Sequence, residues 1–381
     1  MLLNLFSKTK PPTSSPIIET VDRFAKKVLK PQIRDHYLNP SPSKDREIIS
    51  EMGKIGCLGP MIPKYGIGAD YLTYGLMAKS IEKVDSGYRS MFSVQSSLVM
   101  TPIDLFGSDT QKLKYLPELA KGSMVGCFGL TEPNHGSDPG SMLTTATETY
   151  TSSGPCYALN GSKTWITNAP LADLFVIWAK LDGEVRGFLV EKNTPGLETT
   201  VIDGKLSLCA STTGSITLSD VTISKDAILP KSKGLGSPFK CLFSARLGIA
   251  FGALGAAEDC IETVVEYVGD RYQFGKSLSE NQLVQHKITD MVTKYNTALA
   301  TCYAVAENPS NVGVSLVKRN SCLMALDIAR TARDCLGGYG ISIDYNIMRH
   351  LINLETVNTY EGTADIHALI IGKHITGKDS F

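Results

Sequence analysis

Four short stretches combine residue types and spacings that chemistry could use. In Asn358-Thr-Tyr-Glu-Gly-Thr363 a lone carboxylate, Glu361, follows an apolar stretch and precedes a glycine at a predicted helix start. Phe128-Gly-Leu-Thr-Glu-Pro-Asn-His-Gly-Ser-Asp138 carries two glycines, a proline and several hydroxyl or amide groups, which suits a loop offering backbone N–H groups to a ligand. Trp165-Ile-Thr-Asn168 sets an aromatic plane beside a hydroxyl donor, and Leu336-Gly-Gly-Tyr-Gly340 breaks two helical patterns with permissive backbone. Taken singly, each also reads as a turn or a cap, Glu361 as a helix cap in particular. Their joint occurrence is what points to a ligand site.

Other chemistries find no support. Gly269-Asp-Arg-Tyr-Gln-Phe-Gly275-Lys276-Ser277 has five residues between its glycines, where the phosphate-cradling loop has four, and no strand precedes it. No Gly-x-Gly-x-x-Gly follows a predicted strand, and there is no Gly-x-Ser-x-Gly elbow or His-Glu-x-x-His pair. His350 and His367 lack spaced partners, so no metal site is expected. With 38 Lys+Arg against 38 Asp+Glu and no dense basic run, the chain does not look like a nucleic-acid binder. Nine scattered cysteines without a Cys-x-x-Cys pair suggest a reduced, intracellular setting. No apolar run reaches the ~20 residues of a membrane span. The basic, Ser-containing start weakly permits an organellar presequence, but its apolar core before Lys8 is short for a secretory signal.

The elements that must position these stretches fall into three blocks. Ile17, Val21, Phe24, Ala25 and Val28 share a helical face, and similar spacing continues through the first ~120 residues, giving an N-terminal helical domain over 1–124. Residues 125–232 hold short β-rich runs punctuated by Asn-Gly at 160–161, Asp-Gly at 182–183 and 203–204, and Pro-Gly at 195–196. That pattern predicts a central antiparallel β domain, since no helix-length stretch separates the strands. Helical periodicity returns at 242–267, 281–306, 314–336 and 345–354, with a last helix from about 364, predicting a C-terminal four-helix bundle over 233–381. The expected class is thus multidomain α+β.

In this order of blocks and motifs the chain resembles the acyl-CoA dehydrogenase family, flavoproteins that desaturate acyl-CoA thioesters. The likeness runs from about Ile17 to the C-terminus. Within the family, Val84-Asp-Ser-Gly-Tyr-Arg-Ser90, Val94-Gln-Ser-Ser-Leu-Val-Met100, Phe128-Gly-Leu-Thr-Glu-Pro133 and Asn353-Leu-Glu-Thr-Val-Asn-Thr-Tyr-Glu-Gly-Thr363 are most similar to the glutaryl-CoA dehydrogenases. The resemblance implies that Glu361 is the base that removes the α-proton, and that its backbone N–H stabilises the developing enolate. It implies FAD as cofactor, held by Phe128, Leu130, Thr131, Gly136 and Ser137, by Trp165, Ile166 and Thr167 against the ring, by Arg271, Phe274 and Gln282, by Asp334, Cys335, Leu336, Gly337 and Gly338, and by Thr363. The Arg271 group serves a neighbouring subunit in the family, so a homotetramer is implied.

For the substrate, the resemblance places Ser137, Phe239, Leu242, Phe243 and Arg246 along the CoA chain, with Arg246 as its polar anchor, and Tyr360 and Gly362 beside the reacting carbons. Phe243-Ser244 departs from the small amides of the glutaryl enzyme. Arg89, with Glu82, Ser90 and Ser93 nearby, resembles the site for the far carboxylate of glutaryl-CoA; a surface ion pair with Asp85, four residues upstream, is the bland alternative. The implied reaction is oxidative decarboxylation of glutaryl-CoA to crotonyl-CoA and carbon dioxide, with electrons passed to an electron-transfer flavoprotein. The alternatives are a non-decarboxylating or short-chain dehydrogenase or oxidase of the same superfamily, or a non-catalytic acyl-CoA-binding member. The expected location is the mitochondrial matrix in a eukaryote and the cytoplasm otherwise.

Overall fold

The structure, a computed structural model, describes residues 16–152 and 154–379; the N-terminal stretch read as a weak presequence lies outside them. The chain opens with α1 (Pro16–Phe24), which passes through one π-helical turn into α2 (Lys30–Leu38), followed by α3 (Pro42–Lys54) and α4 (Tyr71–Glu82). Next, α5 (Ser86–Ser93) runs through a π-helical segment (Val94–Met100) into α6 (Thr101–Phe106), and α7 (Asp109–Ala120) closes the block. Asp70 and Asp85 cap α4 and α5 by accepting from the Thr73 and Gly87 amides, and Ser108 and Gln111 form a reciprocal capping box on α7. Apolar residues at helical spacing, Val21, Phe24, Ile48, Met52, Met77 and Ile81 among them, form one core with Phe92 and Val99.

The β block comprises β1 (Gly126–Gly129), β2 (Thr145–Thr151), β3 (Gly154–Thr167), β4 (Leu174–Leu181), β5 (Glu184–Glu191), β6 (Leu197–Val201) and β7 (Thr213–Ser224). These form one sheet in the order β1-β4-β2-β3-β7-β6, with β5 on β4. The expectation of a purely antiparallel domain is corrected here. β1 runs parallel to β4 from the Gly126–Leu174 pair to Gly129–Ile177, and β2 meets β4 in parallel over two residues. A parallel pair needs a long crossover, commonly a helix. In this chain the β2–β3 hairpin supplies it, so the absence of a helical stretch did not preclude parallel pairing.

The long helix α8 (Gly236–Asp270) leads to the small hairpin β8 (Tyr272–Gln273) and β9 (Lys276–Ser277), then α9 (Gln282–Glu307), α10 (Asn311–Cys335), α11 (Ile347–Thr359) and α12 (Ala364–Thr376). α8 is long and apolar enough to cross a membrane, yet 78% of its apolar window is buried inside the fold. It packs against α4, α9, α10 and α11, so the middle of α8 joins the N-terminal block to the bundle. The bundle core, built from Leu247, Phe251, Leu254, Val317, Leu326 and Val357, lies directly behind the Glu361 turn.

Candidate active site

Glu361 occupies the turn between α11 and α12. Tyr360 ends α11, and the Thr363 hydroxyl caps α12 by accepting from the Ile366 amide at 3.2 Å, so Glu361 is not the helix cap. Its φ of 51° lies in the left-handed region, and Gly362 follows at 100°; a Cβ at 362 would sit 2.8 Å from the His367 ring. Backbone held in this region at a non-glycine residue costs energy that surrounding contacts must offset. Those contacts are cationic. Arg246 of α8 donates from Nε to the Glu361 carbonyl at 2.8 Å, and Lys318 of α10 donates to the carbonyls of Gly362 at 2.8 Å and Asn358 at 3.2 Å.

The carboxylate itself is treated differently. Its Oε2 is buried without a hydrogen-bond partner, and burial pushes the Glu361 pKa above the ordinary glutamate value, against the pull of Arg89, Arg246 and Lys318. A desolvated carboxylate is a stronger base than one in water. His367, beneath Gly362, is held neutral because burial, reinforced by Arg246 and Lys318, lowers its pKa to about 3.

Arg89 on α5 is 1% exposed. Its Nε donates to Glu82 Oε2 at 2.6 Å, its Nη2 donates to the Tyr360 hydroxyl, and its guanidinium lies 5.4 Å from the Tyr360 ring centroid. Burial opposes its charge, but Glu82 outweighs that and raises the pKa further. A Cβ on Gly252 of α8 would meet Glu82 Oε2 at 2.0 Å, so this glycine makes room for the pair. Asp85 does not pair with Arg89. It caps Gly87 and is taken by Arg349 and by Asn353 at 2.9 Å, which clamp α5 to α11 and set the angle at which Arg89 meets Tyr360. Ser90 and Ser93 are buried beside it, and Ser93 accepts from the Tyr74 hydroxyl at 3.3 Å. Along α8, Leu242 is buried, Phe239 is exposed, and Phe243 packs edge-on against Tyr71. Arg246, expected along the CoA chain, has its Nε committed to the base segment.

The β domain contributes a second surface. The β3–β7 register shifts between Lys163 and Ile166, leaving Thr164 and Trp165 outside the ladder. At this bulge Trp165 takes φ 59° and stands 62% exposed, with Ile166 buried behind it and Thr167 alongside. Bulges re-aim side chains in this way. Phe128 and Leu130 are buried, Thr131 is partly so, Gly136 and Ser137 are exposed, and a Cβ on Gly136 would meet nothing within 4 Å. Glu132 anchors this loop, accepting from the amides of Leu143 at 2.6 Å and Thr144 at 2.9 Å and from Lys163 at 2.8 Å. An exposed aromatic plane and an open glycine suit a flat ring carrying polar edges.

Three domain descriptions match this chain in order: acyl-CoA dehydrogenase N-terminal domain over 12–123, middle domain over 127–221 and C-terminal domain over 232–376. The chain is 42% identical to a glutaryl-CoA dehydrogenase structure from Mycobacterium smegmatis, covering 100% of this chain and 98% of that one, with a TM-score of 0.95. The chain belongs to the acyl-CoA dehydrogenase family. A second structure of the mycobacterial enzyme, in complex with FADH2, is 42% identical over 96% of this chain and 95% of that one, with a TM-score of 0.91. The short-chain specific acyl-CoA dehydrogenase of Megasphaera elsdenii is 33% identical over 92% of this chain and 94% of its own length.

FAD is the cofactor of this family member, and the exposed Trp165 plane fits it. The other expected FAD residues lie apart. Arg271, Phe274 and Gln282 are exposed at the hairpin end of α8, Phe274 at 97% with φ 56°, while Leu336 is buried and Gly337 and Gly338 are open. Asp334 accepts from Lys287, and Cys335 is half-buried. No hydrogen bond among the described residues joins this patch to the Trp165 surface. The described residues hold no metal cluster and no disulfide. Sequence reasoning missed Lys318, Tyr74, Gly252 and the Asp85–Arg349 clamp. A signal existed for Lys318, which interrupts the apolar face of Val314, Val317 and Cys322 on α10.

Proposed function

We propose that this chain oxidises glutaryl-CoA and releases its terminal carboxyl, giving crotonyl-CoA and carbon dioxide. The observation that carries the reading is Arg89: a buried guanidinium with Nη1 unused by any described residue, bonded to the hydroxyl of Tyr360, the residue before Glu361. An arginine is expensive to bury, and a dicarboxylyl thioester brings a carboxylate that would offset the cost. Glu82 takes the Nε edge and the Tyr360 hydroxyl engages Nη2, which leaves Nη1 for an incoming ligand.

In this reading Glu361 accepts the α-proton while its raised pKa keeps it a strong base. FAD, held against Trp165 and Thr167, would supply the acceptor for the β-hydrogen and its electron pair. The desaturated acyl group then carries its carboxylate against Arg89. Breaking the bond to that carboxyl releases carbon dioxide and leaves an electron pair delocalised to the thioester; the proton held on Glu361 returns to the γ-carbon. In this reading the backbone N–H of Glu361, in a segment held by Arg246 and Lys318, donates to the enolate oxygen. The exposed Arg271 and Phe274 patch supports a homotetramer in which one subunit completes the FAD site of another. An electron-transfer flavoprotein is the proposed acceptor, and a mitochondrial matrix or bacterial cytoplasmic location goes with it.

The test is anaerobic mixing of the purified flavoprotein with glutaryl-CoA, following flavin absorbance and analysing products by mass spectrometry. Bleaching with crotonyl-CoA and carbon dioxide is expected. Bleaching with glutaconyl-CoA alone would remove the second step, and a flavin that answers only butyryl-CoA would favour the short-chain activity named for the Megasphaera relative.

A further inference from the structure

Lys318 stands on the buried face of α10, between Val314 and Cys322, and is fully inaccessible. Lysines are rarely buried without a carboxylate partner, yet no described carboxylate lies within ion-pair distance of its Nζ. The ammonium instead reaches the carbonyls of Asn358 and Gly362, which bracket the three residues ending in Glu361. A neutral donor could satisfy two carbonyls at lower desolvation cost. The positive charge therefore needs its own explanation: burial lowers the Lys318 pKa, and of the two groups that oppose this, Cys322 and Glu361, only Glu361 is a carboxylate, its Oε2 without a hydrogen-bond partner.

We propose that Lys318 is a positioning residue for the base: it pins the backbone on both sides of Glu361 and sets the field that keeps the carboxylate ionised before substrate enters. The proposal rests on the reading of Glu361 as base. The division of labour is geometric. Arg246 holds the Glu361 carbonyl from α8 and Lys318 holds its neighbours from α10, so the left-handed turn is gripped from two helices while the carboxylate stays free to take a proton. The groups facing Glu361 are Tyr74 from α4, Arg89 with Glu82 from α5 and α4, Arg246 from α8, Lys318 from α10, and Tyr360 and His367 at the ends of the turn. His367 is neutral, and Arg89 is spent in part on Glu82, which leaves Arg246 and Lys318 as the cations without an acidic partner of their own. Facing Lys318 is Cys322, whose thiol burial pushes up to about 11, so it offers no anion.

The test uses the full-length flavoprotein with Lys318→Gln, which keeps an N–H donor without charge, and Lys318→Met, which keeps neither. Single-turnover flavin reduction by glutaryl-CoA is followed anaerobically from about pH 5 to 9. Removing a cation near a carboxylate raises its pKa, so the acid limb should move to higher pH by about one unit in both variants. Above the limb, the rate should fall roughly 10- to 100-fold in Lys318→Met and less in Lys318→Gln, as expected when a reacting group drifts by about an ångström. FAD content and substrate affinity should stay within a few-fold. A limb that stays at its wild-type pH in Lys318→Gln, the variant nearest in shape and polarity, overturns the proposal, as does a rate loss that tracks FAD loss. Near wild-type reduction in Glu361→Gln would instead overturn the base assignment on which it rests.

Discussion

The Glu361 turn and the Trp165 bulge are both left-handed interruptions of regular structure, and they are supported in opposite ways. The turn is enclosed by side chains from α4, α5, α8 and α10, with the buried Arg89 and Lys318 and the part-buried Arg246 around one carboxylate. The bulge is backed by Phe128, Ile166 and the Glu132–Lys163 pair, and its front is open. The chemistry of proton removal needs a group whose position and pKa are set before substrate arrives, so its surroundings are built within one chain. A cofactor platform gains its partners when the ring binds, so it can be left exposed. The difference teaches which region tolerates change.

Glu361→Gln should break the comparison most severely. Turnover should drop by at least about 10³-fold, since Glu82, the other buried carboxylate facing this turn, is held by Arg89. FAD should remain bound, because the platform is untouched. Near-normal turnover in the flavinated variant would dismiss the assignment. In the wild type, the raised Glu361 pKa means activity is lost as pH falls through a value above the ordinary glutamate 4.5. That limb should be absent from the residual rate of the variant.

Arg89→Ala comes next. Its expected effect is selective: a loss of roughly 10²-fold or more in kcat/KM for glutaryl-CoA, and far less for butyryl-CoA, which brings no carboxylate. Glu82 is then left buried without its cation, so part of any loss is shared by both substrates. Equal losses would place Arg89 in folding rather than specificity.

Much of this contrast could be read along the chain. The Tyr360-Glu361-Gly362 run and the Trp165-Ile166-Thr167 run announce themselves because a glycine or aromatic residue breaks a local pattern. The Asp85 alternative for Arg89 fails for a physical reason: spacing of four on one helix puts Asp85 near Arg89, but Asp85 caps α5, and Arg349 arrives from α11, 264 residues away. The parallel β1–β4 pair was hidden because strand direction is set by what the crossover does in space. Lys318 was passed over because a lysine in a long helix is ordinarily solvated, and only the apolar residues at 314, 317 and 322 mark it as inward.

On the platform side, Glu132→Gln sharpens the comparison through stability. The Glu132 carboxyl is itself opposed by burial, but the Leu143 amide and Lys163 lower its pKa to about 2, below the 4.5 of an unfolded glutamate. The stabilisation is therefore complete above about pH 4.5 and fades as pH falls towards 2. The substitution should cost about 2–3 kcal/mol near neutral pH, because Lys163 loses its buried partner. Melting curves should converge with wild type towards pH 2. A gap that persists unchanged at acid pH would show that the amide geometry, and not the charge, holds the loop.

The smallest effect is expected at Thr363, and it separates the two kinds of support most finely. Its hydroxyl caps α12, and a lost cap costs about 1 kcal/mol. For a chain of this size that is a shift of about 1 °C in Tm. If the cap fixed Glu361, Thr363→Ala would lower turnover as much as stability. The structure places the restraint elsewhere, on the Asn358, Glu361 and Gly362 carbonyls held by Lys318 and Arg246, so turnover with FAD saturating should change by less than about threefold while Tm falls. Thr363→Ser, which keeps the capping oxygen, should restore the melting point. A large loss of turnover in the alanine variant at saturating FAD would mean that the base segment hangs from α12 and not from the two cations.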